Sequence, residues 1–162
     1  MPLLFLYSSI VPAELVTIIL AALPVSELRG AIPYAMTVGG MGWQKAFLLS
    51  VAGNFLPVLP ILLLLETVSN WLRRYPVWDR FFTWLFERTR RRGKLIERFE
   101  ALGLVLFVAV PLPVTGAWTG CVAAFVFKVP LRLALPAIFC GILIAGTVVT
   151  LASLGVVSFW GL

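Results

Sequence analysis

The sequence predicts an all-α polytopic membrane protein, with two opposed re-entrant helical hairpins, two kinked transmembrane helices and an interfacial amphipathic linker helix. The first observation behind this fold class is composition. Of 162 residues, 61 % are hydrophobic and 12 % are charged, whereas soluble domains are about 25 % charged. A soluble fold of this length has too little interior to hide so much apolar surface. The other two observations are the lengths of the apolar stretches and the concentration of charge in one internal segment.

Two apolar stretches match the roughly 20 residues that a transmembrane helix needs. They are 43–65 and 131–160. Pro57 lies in the first and Pro136 in the second, so both are expected to be kinked helices whose freed backbone groups are satisfied by neighbours.

Two further apolar stretches, 11–40 and 101–127, are each interrupted at the centre. The expected helix breakers are Pro24, Gly30 and Pro33 in the first and Pro111, Pro113 and Gly116 in the second. Each remaining arm has about 10–13 residues and a length of about 15–20 Å, roughly half a hydrocarbon core. Such a segment is expected to enter the membrane and return to the same face.

The segment 67–100 is a basic linker with nine Lys or Arg residues and four acidic residues. Excess Lys and Arg in a short loop marks the cytoplasmic side of a membrane. If 101–127 is re-entrant, Lys128 and Arg132 lie on that same side. The first hairpin then enters from the opposite face, and both termini are extracytoplasmic. The positive charge therefore indicates membrane topology, and nucleic acid is not expected as a partner.

Within the linker, aromatic and charged residues alternate in a helical pattern. Trp78, Phe81, Phe82 and Leu85 follow the spacing i, i+3, i+4, i+7. This pattern favours a helix that lies among lipid headgroups. The alternative is a helix that packs against its own protein.

The two parts of the chain on either side of the linker follow the same order of hairpin, turn and kinked span. The first repeat is 1–66 and the second is 101–162, and an offset of 86 aligns Gly30 with Gly116. Because the hairpins would enter from opposite faces, this is an inverted repeat within one membrane domain. Transporters often use this plan, with the binding site near the bilayer midplane.

Glu27 and Arg29 lie at the tip of the first hairpin. Ionisable residues at membrane depth are costly and point to function. Glu27 could exchange a proton, while the alternative role for both residues is a structural ion pair. Ser26 and Thr115 are expected to be N-caps of the two return helices, whose N-termini would favour an anion such as a phosphate headgroup.

Two polar residues of the apolar stretches complete the candidate site. Glu14 is a candidate proton or cation site, but the position near the start of its apolar stretch favours a side chain that reaches the membrane interface. Asn54 lies in the middle of the first span, where it could contact substrate or bond a neighbouring helix. The chain has no His and a single Asp, so neither an aspartyl dyad nor a His-based metal or nucleophile site can be built. An enzyme, a metal and a cofactor are therefore not expected.

The run Pro-Val-Ser-Glu-Leu-Arg-Gly-Ala-Ile-Pro-Tyr-Ala, from Pro24 to Ala35, resembles the signature of the small multidrug export protein family. These are small prokaryotic membrane proteins, and the resemblance covers nearly the whole chain. The family is distantly similar to the DedA superfamily of membrane proteins. The resemblance implies a prokaryotic plasma-membrane location, opposed re-entrant hairpins, and lipid flipping or proton-coupled transport.

The expected function is a secondary transporter or lipid flippase, driven by protons, for an anionic lipid or a small amphipathic molecule. The alternatives are a multidrug exporter for cationic drugs and a non-transporting membrane scaffold. Expected partners are membrane lipids, the small-molecule or lipid substrate, and protons. A homodimer is left open.

Overall fold

The computed structural model describes residues 11–72, 74–92, 94–110 and 115–160. Every regular element in these ranges is an α-helix, which confirms the all-α class. The helices are α1 Ala13–Ala22, α2 Glu27–Thr37, α3 Trp43–Phe55, α4 Val58–Leu72, α5 Pro76–Arg92, α6 Lys94–Ala109, α7 Ala117–Val126 and α8 Leu131–Trp160.

Two helical segments are long and apolar enough to cross a membrane. They are Trp43–Leu65 and Leu131–Val156, which confirms the two predicted spans by length and composition. The first is divided between α3 and α4, with Pro57 in the short break between them. Pro136 lies inside α8.

The first hairpin turns at Leu23–Ser26, between α1 and α2. Pro24 lies in this turn, but Gly30 and Pro33 lie inside α2, which corrects the prediction that they break the helix. The reason is that α2 starts early: the backbone N–H of Gly30 already donates to the Ser26 carbonyl, at 2.9 Å. Pro33 removes only one further N–H from the helix.

The second hairpin has a different break. α6 ends at Ala109 and α7 begins at Ala117. Pro111 and Pro113 lie outside the described residues. Gly116 is the N-cap of α7, with φ 153° and ψ −166°, a backbone conformation that is essentially restricted to glycine. The re-entrant course of both hairpins and the inverted repeat stay predictions.

The chain forms two compact units. Of the described residues, the first unit comprises those up to Leu56 together with those from Ala145 onward, and the second comprises those within Pro57–Ile144. This division differs from the two predicted repeats. The single membrane domain and its repeats stay a prediction.

In the first unit, α1, α2 and α3 pack against one another. The contact between α1 and α3 is close, because a Cβ at Gly53 would lie 2.7 Å from the Ile18 carbonyl oxygen and 2.9 Å from Ala21 Cβ. The part of α8 that belongs to this unit, from Ala145 onward, packs on α3 in the same way. A Cβ at Gly146 would lie 3.0 Å from the Phe47 ring. Glycine is therefore what lets these helices approach.

In the second unit, α7 packs against α4, α5 and α6. The predicted linker helix lies within α5 and is confirmed as a helix. Phe86 on α5 meets Phe125 on α7, with ring centroids 5.5 Å apart, while Phe81 and Trp84 are exposed. One side of α5 thus packs on its own unit, as the alternative interpretation of the linker expected. The side chains of Trp78 and Phe82 lie outside the described residues.

Candidate functional site

Glu27 is buried at the start of α2. It is 5 % exposed, and its φ is +45°. A left-handed conformation is uncommon for a residue with a side chain and marks local strain. Among the buried side chains that the structure describes, Glu27 is the one that carries a carboxyl group.

Arg29 lies beside Glu27, with its Nη2 atom 3.9 Å from Glu27 Oε2. The two side chains differ in environment, because the exposed fraction of the side chain alone is 30 % for Arg29 and 7 % for Glu27. A separation of 3.9 Å is a loose ion pair rather than a close hydrogen-bonded one. The structure therefore brings together the two charged residues that the sequence singled out.

The two hydroxyl residues do not cap the return helices. Ser26 occupies the N-cap position of α2 but makes no capping hydrogen bond, and its hydroxyl donates to the Leu20 carbonyl. Thr115 is not the N-cap of α7, and its hydroxyl donates to the Val110 carbonyl at 2.6 Å. Both hydroxyls thus bond carbonyls at the end of the incoming helix, where the last carbonyl groups of a helix lack the regular intrahelical partner.

This arrangement also removes part of the expected anion site at the start of α2. The Glu27 backbone N–H already donates to the Leu23 carbonyl, at 3.1 Å. Thr115 belongs to the second unit and Ser26 to the first. A joint anion site from both helix N-termini stays a prediction.

Asn54 is 1 % exposed on α3, and its Oδ1 atom has no hydrogen-bond partner among the residues that the structure describes. The same holds for Ser50 Oγ, one turn earlier on α3, and for Thr150 Oγ1 on α8. All three residues belong to the first unit. Sequence reasoning named Asn54 but missed Ser50 and Thr150. The four-residue spacing of Ser50 and Asn54 within an apolar stretch was a usable signal for a polar helix face.

Glu14 lies away from the buried set, because its side chain is 44 % exposed. Its Oε1 atom accepts a hydrogen bond from Lys45 Nζ at 2.7 Å. The pair joins the start of α1 to the start of α3. This exposure is consistent with the interpretation in which the Glu14 side chain reaches the membrane surface.

Within the described residues, no group of three or more His, Cys, Asp or Glu side chains is arranged to hold a metal ion. The candidate groups that the described part of the first unit offers are one buried carboxylate, a partly exposed guanidinium and three buried neutral oxygen atoms. Such groups can bind a cation, exchange a proton and accept hydrogen bonds.

Comparison with known proteins adds a family. No curated protein and no solved structure matches the chain significantly. The comparisons do not show the DedA relationship, which stays an expectation. A family model described as "Putative small multi-drug export protein" matches residues 27–148, beginning at Glu27 and covering most of the chain. That export family and the two apolar helices both support a membrane location. The chain belongs to this small multidrug export family.

Proposed function

We propose that the protein is a membrane exporter of small cationic molecules, in which Glu27 binds the cation and a proton in alternation. The observation that carries the proposal is the buried carboxylate of Glu27, at 5 % exposure. Removing an ionised group from water costs several kcal/mol, roughly, unless a counter-ion compensates it. A cationic substrate or a proton supplies that compensation.

Arg29 is the counter-ion in the state described. Its distance of 3.9 Å from the carboxylate and its partial exposure make it a partner that a second cation can replace. Exchange between Arg29, substrate and proton is a way to couple export to a proton gradient. The description of the family as multidrug export supports a small-molecule substrate.

An anionic lipid is the second candidate substrate. The partly exposed guanidinium of Arg29 favours it, because Arg binds phosphate through paired hydrogen bonds. The first turn of α2 favours it less, since the Glu27 N–H is occupied by Leu23. An anionic lipid is therefore measured as a separate substrate in the functional test.

We also propose a multi-pass topology in a prokaryotic plasma membrane, with the linker 67–100 cytoplasmic and both hairpins re-entrant. The net charge of the linker supports this orientation. Single cysteines introduced as Gln44→Cys and Arg132→Cys, in a chain lacking both native cysteines, test it. We expect an impermeant reagent to label the first from outside and the second from the cytoplasm. Labelling of Arg132→Cys from outside contradicts the re-entrant second hairpin.

The functional test uses purified protein in vesicles that carry a pH gradient. We expect Glu27→Gln to abolish export of a lipophilic cation, because Gln keeps the shape and hydrogen bonding of Glu but has no charge and releases no proton. Glu87→Gln is the matched control, since Glu87 is an exposed carboxylate on α5. A fluorescent anionic lipid is measured in the same vesicles.

Each outcome of this test decides between the candidates. Loss of cation export in Glu27→Gln alone supports the exporter. Lipid transfer that depends on Arg29 and not on Glu27 supports the flippase. A wild-type protein that moves neither substrate and no protons contradicts transport and favours the scaffold.

A further inference from the structure

We propose that the Glu27 site recognises its cation through N–H groups, using buried oxygen acceptors on α3, so that protonated amines bind and quaternary ammonium ions bind poorly. The inference rests on the proposed export function and names the substrate class. It starts from Ser50 and Asn54, which are 0 % and 1 % exposed. Within the described part of the chain, their Oγ and Oδ1 atoms have no hydrogen-bond partner.

Unpartnered oxygens are not the general condition of helical side chains in this protein. The hydroxyls of Thr17, Thr89 and Ser153 each donate to a backbone carbonyl four residues earlier, at 2.8 Å. Ser50 could have made the same bond and does not. A buried polar atom without a partner costs free energy and calls for an explanation.

Two contacts fix the position of Asn54 along the first unit. Glu14 on α1 bonds Lys45 on α3 at 2.7 Å, and Ala21 on α1 lies against Gly53 on α3. The two helices therefore run in parallel, with the ends of both at one level. Asn54 follows Gly53 and so lies level with the end of α1.

Glu27 lies at that same level. It follows Ala21 by six residues, and its N–H bonds to Leu23 in the turn that closes α1. Helix α2, which Glu27 begins, packs against α3. The buried carboxylate and the amide of Asn54 are thus at a common depth in the same unit, with Ser50 about 6 Å along the helix axis.

Helix geometry puts Ser50 and Asn54 between two packed faces of α3. Gly53 faces α1, while Phe47 and Val51 face Gly146 of α8. At 100° per residue, Ser50 and Asn54 fall in the sector between these contacts. Thr150 lies one turn beyond Gly146 on α8, on the face that meets α3. The three unpartnered oxygens therefore belong to residues along the contact between α3 and α8 in the first unit, which we call the polar seam.

The chemistry of these atoms selects a hydrogen-bond donor. An amide Oδ1 can only accept, and Ser and Thr hydroxyls can accept as well as donate. A carboxylate at the same depth as such acceptors suits a cation that carries N–H groups. A quaternary ammonium ion has the same charge but no N–H, and it would leave the acceptors unpaired. Sites built for hydrogen bonds reject analogues that lack the matching group.

The test uses equilibrium dialysis to measure how tightly the purified protein binds each of two matched ligands. The pair is a lipophilic tertiary amine, protonated at pH 7, and its N-methyl quaternary derivative. We expect the wild-type protein to bind the amine on the order of tenfold more tightly, the value of a charge-assisted hydrogen bond. Asn54→Leu is expected to abolish the preference, and Ser50→Ala and Thr150→Val to reduce it. Glu27→Gln is expected to weaken both ligands.

Thr17→Val is the matched control, because Thr17 is a buried hydroxyl on α1 that is already bonded to Ala13, and we expect its preference to equal that of wild type. Thermal melting checks folding, and Ser50→Ala is expected to be no less stable than wild type, since it removes an unpaired group. Equal affinity for both ligands in the wild-type protein overturns the inference and leaves the exporter standing. Binding of neither ligand overturns both. A preference that survives in all three seam variants means that water, not substrate, meets these oxygens, and it also overturns the inference.

Discussion

The tips of the two hairpins share a hydroxyl–carbonyl hydrogen bond and a residue with positive φ, but they use different residues for the second feature. In each, a hydroxyl bonds back to a carbonyl at the end of the incoming helix, Ser26 to Leu20 and Thr115 to Val110. Each outgoing helix begins beside a residue with positive φ. In the second hairpin that residue is Gly116, at 153°, but in the first it is Glu27, at 45°.

The first hairpin does not use the residue with the lowest backbone strain at this position. Glycine adopts positive φ without steric cost, whereas a residue with a Cβ does not. The second tip uses glycine where its backbone requires one. The first tip instead keeps a strained residue that is also a buried carboxylate. Strain of this kind persists where function needs the side chain, which agrees with a binding role for Glu27.

The largest expected effect in this comparison comes from Gly116→Ala. The φ and ψ of Gly116 are essentially closed to alanine, and the residue is buried. We expect the free energy of unfolding to fall by about 3 kcal/mol. Denaturant titration in detergent measures it, with Gly155→Ala as the control, because a Cβ at Gly155 meets nothing within 4 Å. Equal stability of the two variants would mean that the second tip does not need its glycine.

The next effect concerns the shared hydroxyl bonds. Ser26→Ala and Thr115→Val each remove the side-chain donor of a carbonyl of the incoming helix, so we expect each to lower the free energy of unfolding by about 1.5 kcal/mol. Thr37→Val is the control, since Thr37 makes a similar bond to Pro33 but is exposed. If only one of the two tip variants is destabilised, the hairpins do not share this device.

The smallest effect is a gain. Glu27→Gly relieves the left-handed backbone and removes a buried charge, and we expect it to raise the free energy of unfolding by about 1 kcal/mol. Lys128→Gly is the matched control, because Lys128 has φ +55° and is exposed. Both variants are expected to melt higher, but only Glu27→Gly should lose cation export. Destabilisation by Glu27→Gly would mean that the carboxylate serves the fold.

Sequence patterns predicted the helical class and the two spans because these depend on long apolar runs that no local contact overrides. Helix ends were less predictable. Gly30 and Pro33 were expected to break a helix that passes through both, since a turn of helix had already formed at Ser26. The offset of 86 therefore pairs two glycines with different structural positions, because Gly30 lies inside α2 and Gly116 is the N-cap of α7.

Within the site, the charged pair was predictable and the neutral oxygens were not. Glu27 and Arg29 stand out because charge is rare in an apolar stretch. Ser50 does not stand out, because a serine in a membrane helix usually bonds its own backbone. Among the described residues, its hydroxyl has no such partner, and only the folded structure shows this.

The first unit is discontinuous along the chain, and this sets the order in which the protein can be made. Residues up to Leu56 emerge from the ribosome first, yet the helix that carries Gly146 arrives only after the whole of 57–144 has been synthesised. The second unit is continuous and can complete its packing during translation. The unit that holds Glu27 must wait for the segment from Ala145 onward, so the proposed substrate site is completed only after the whole of the second unit has been synthesised.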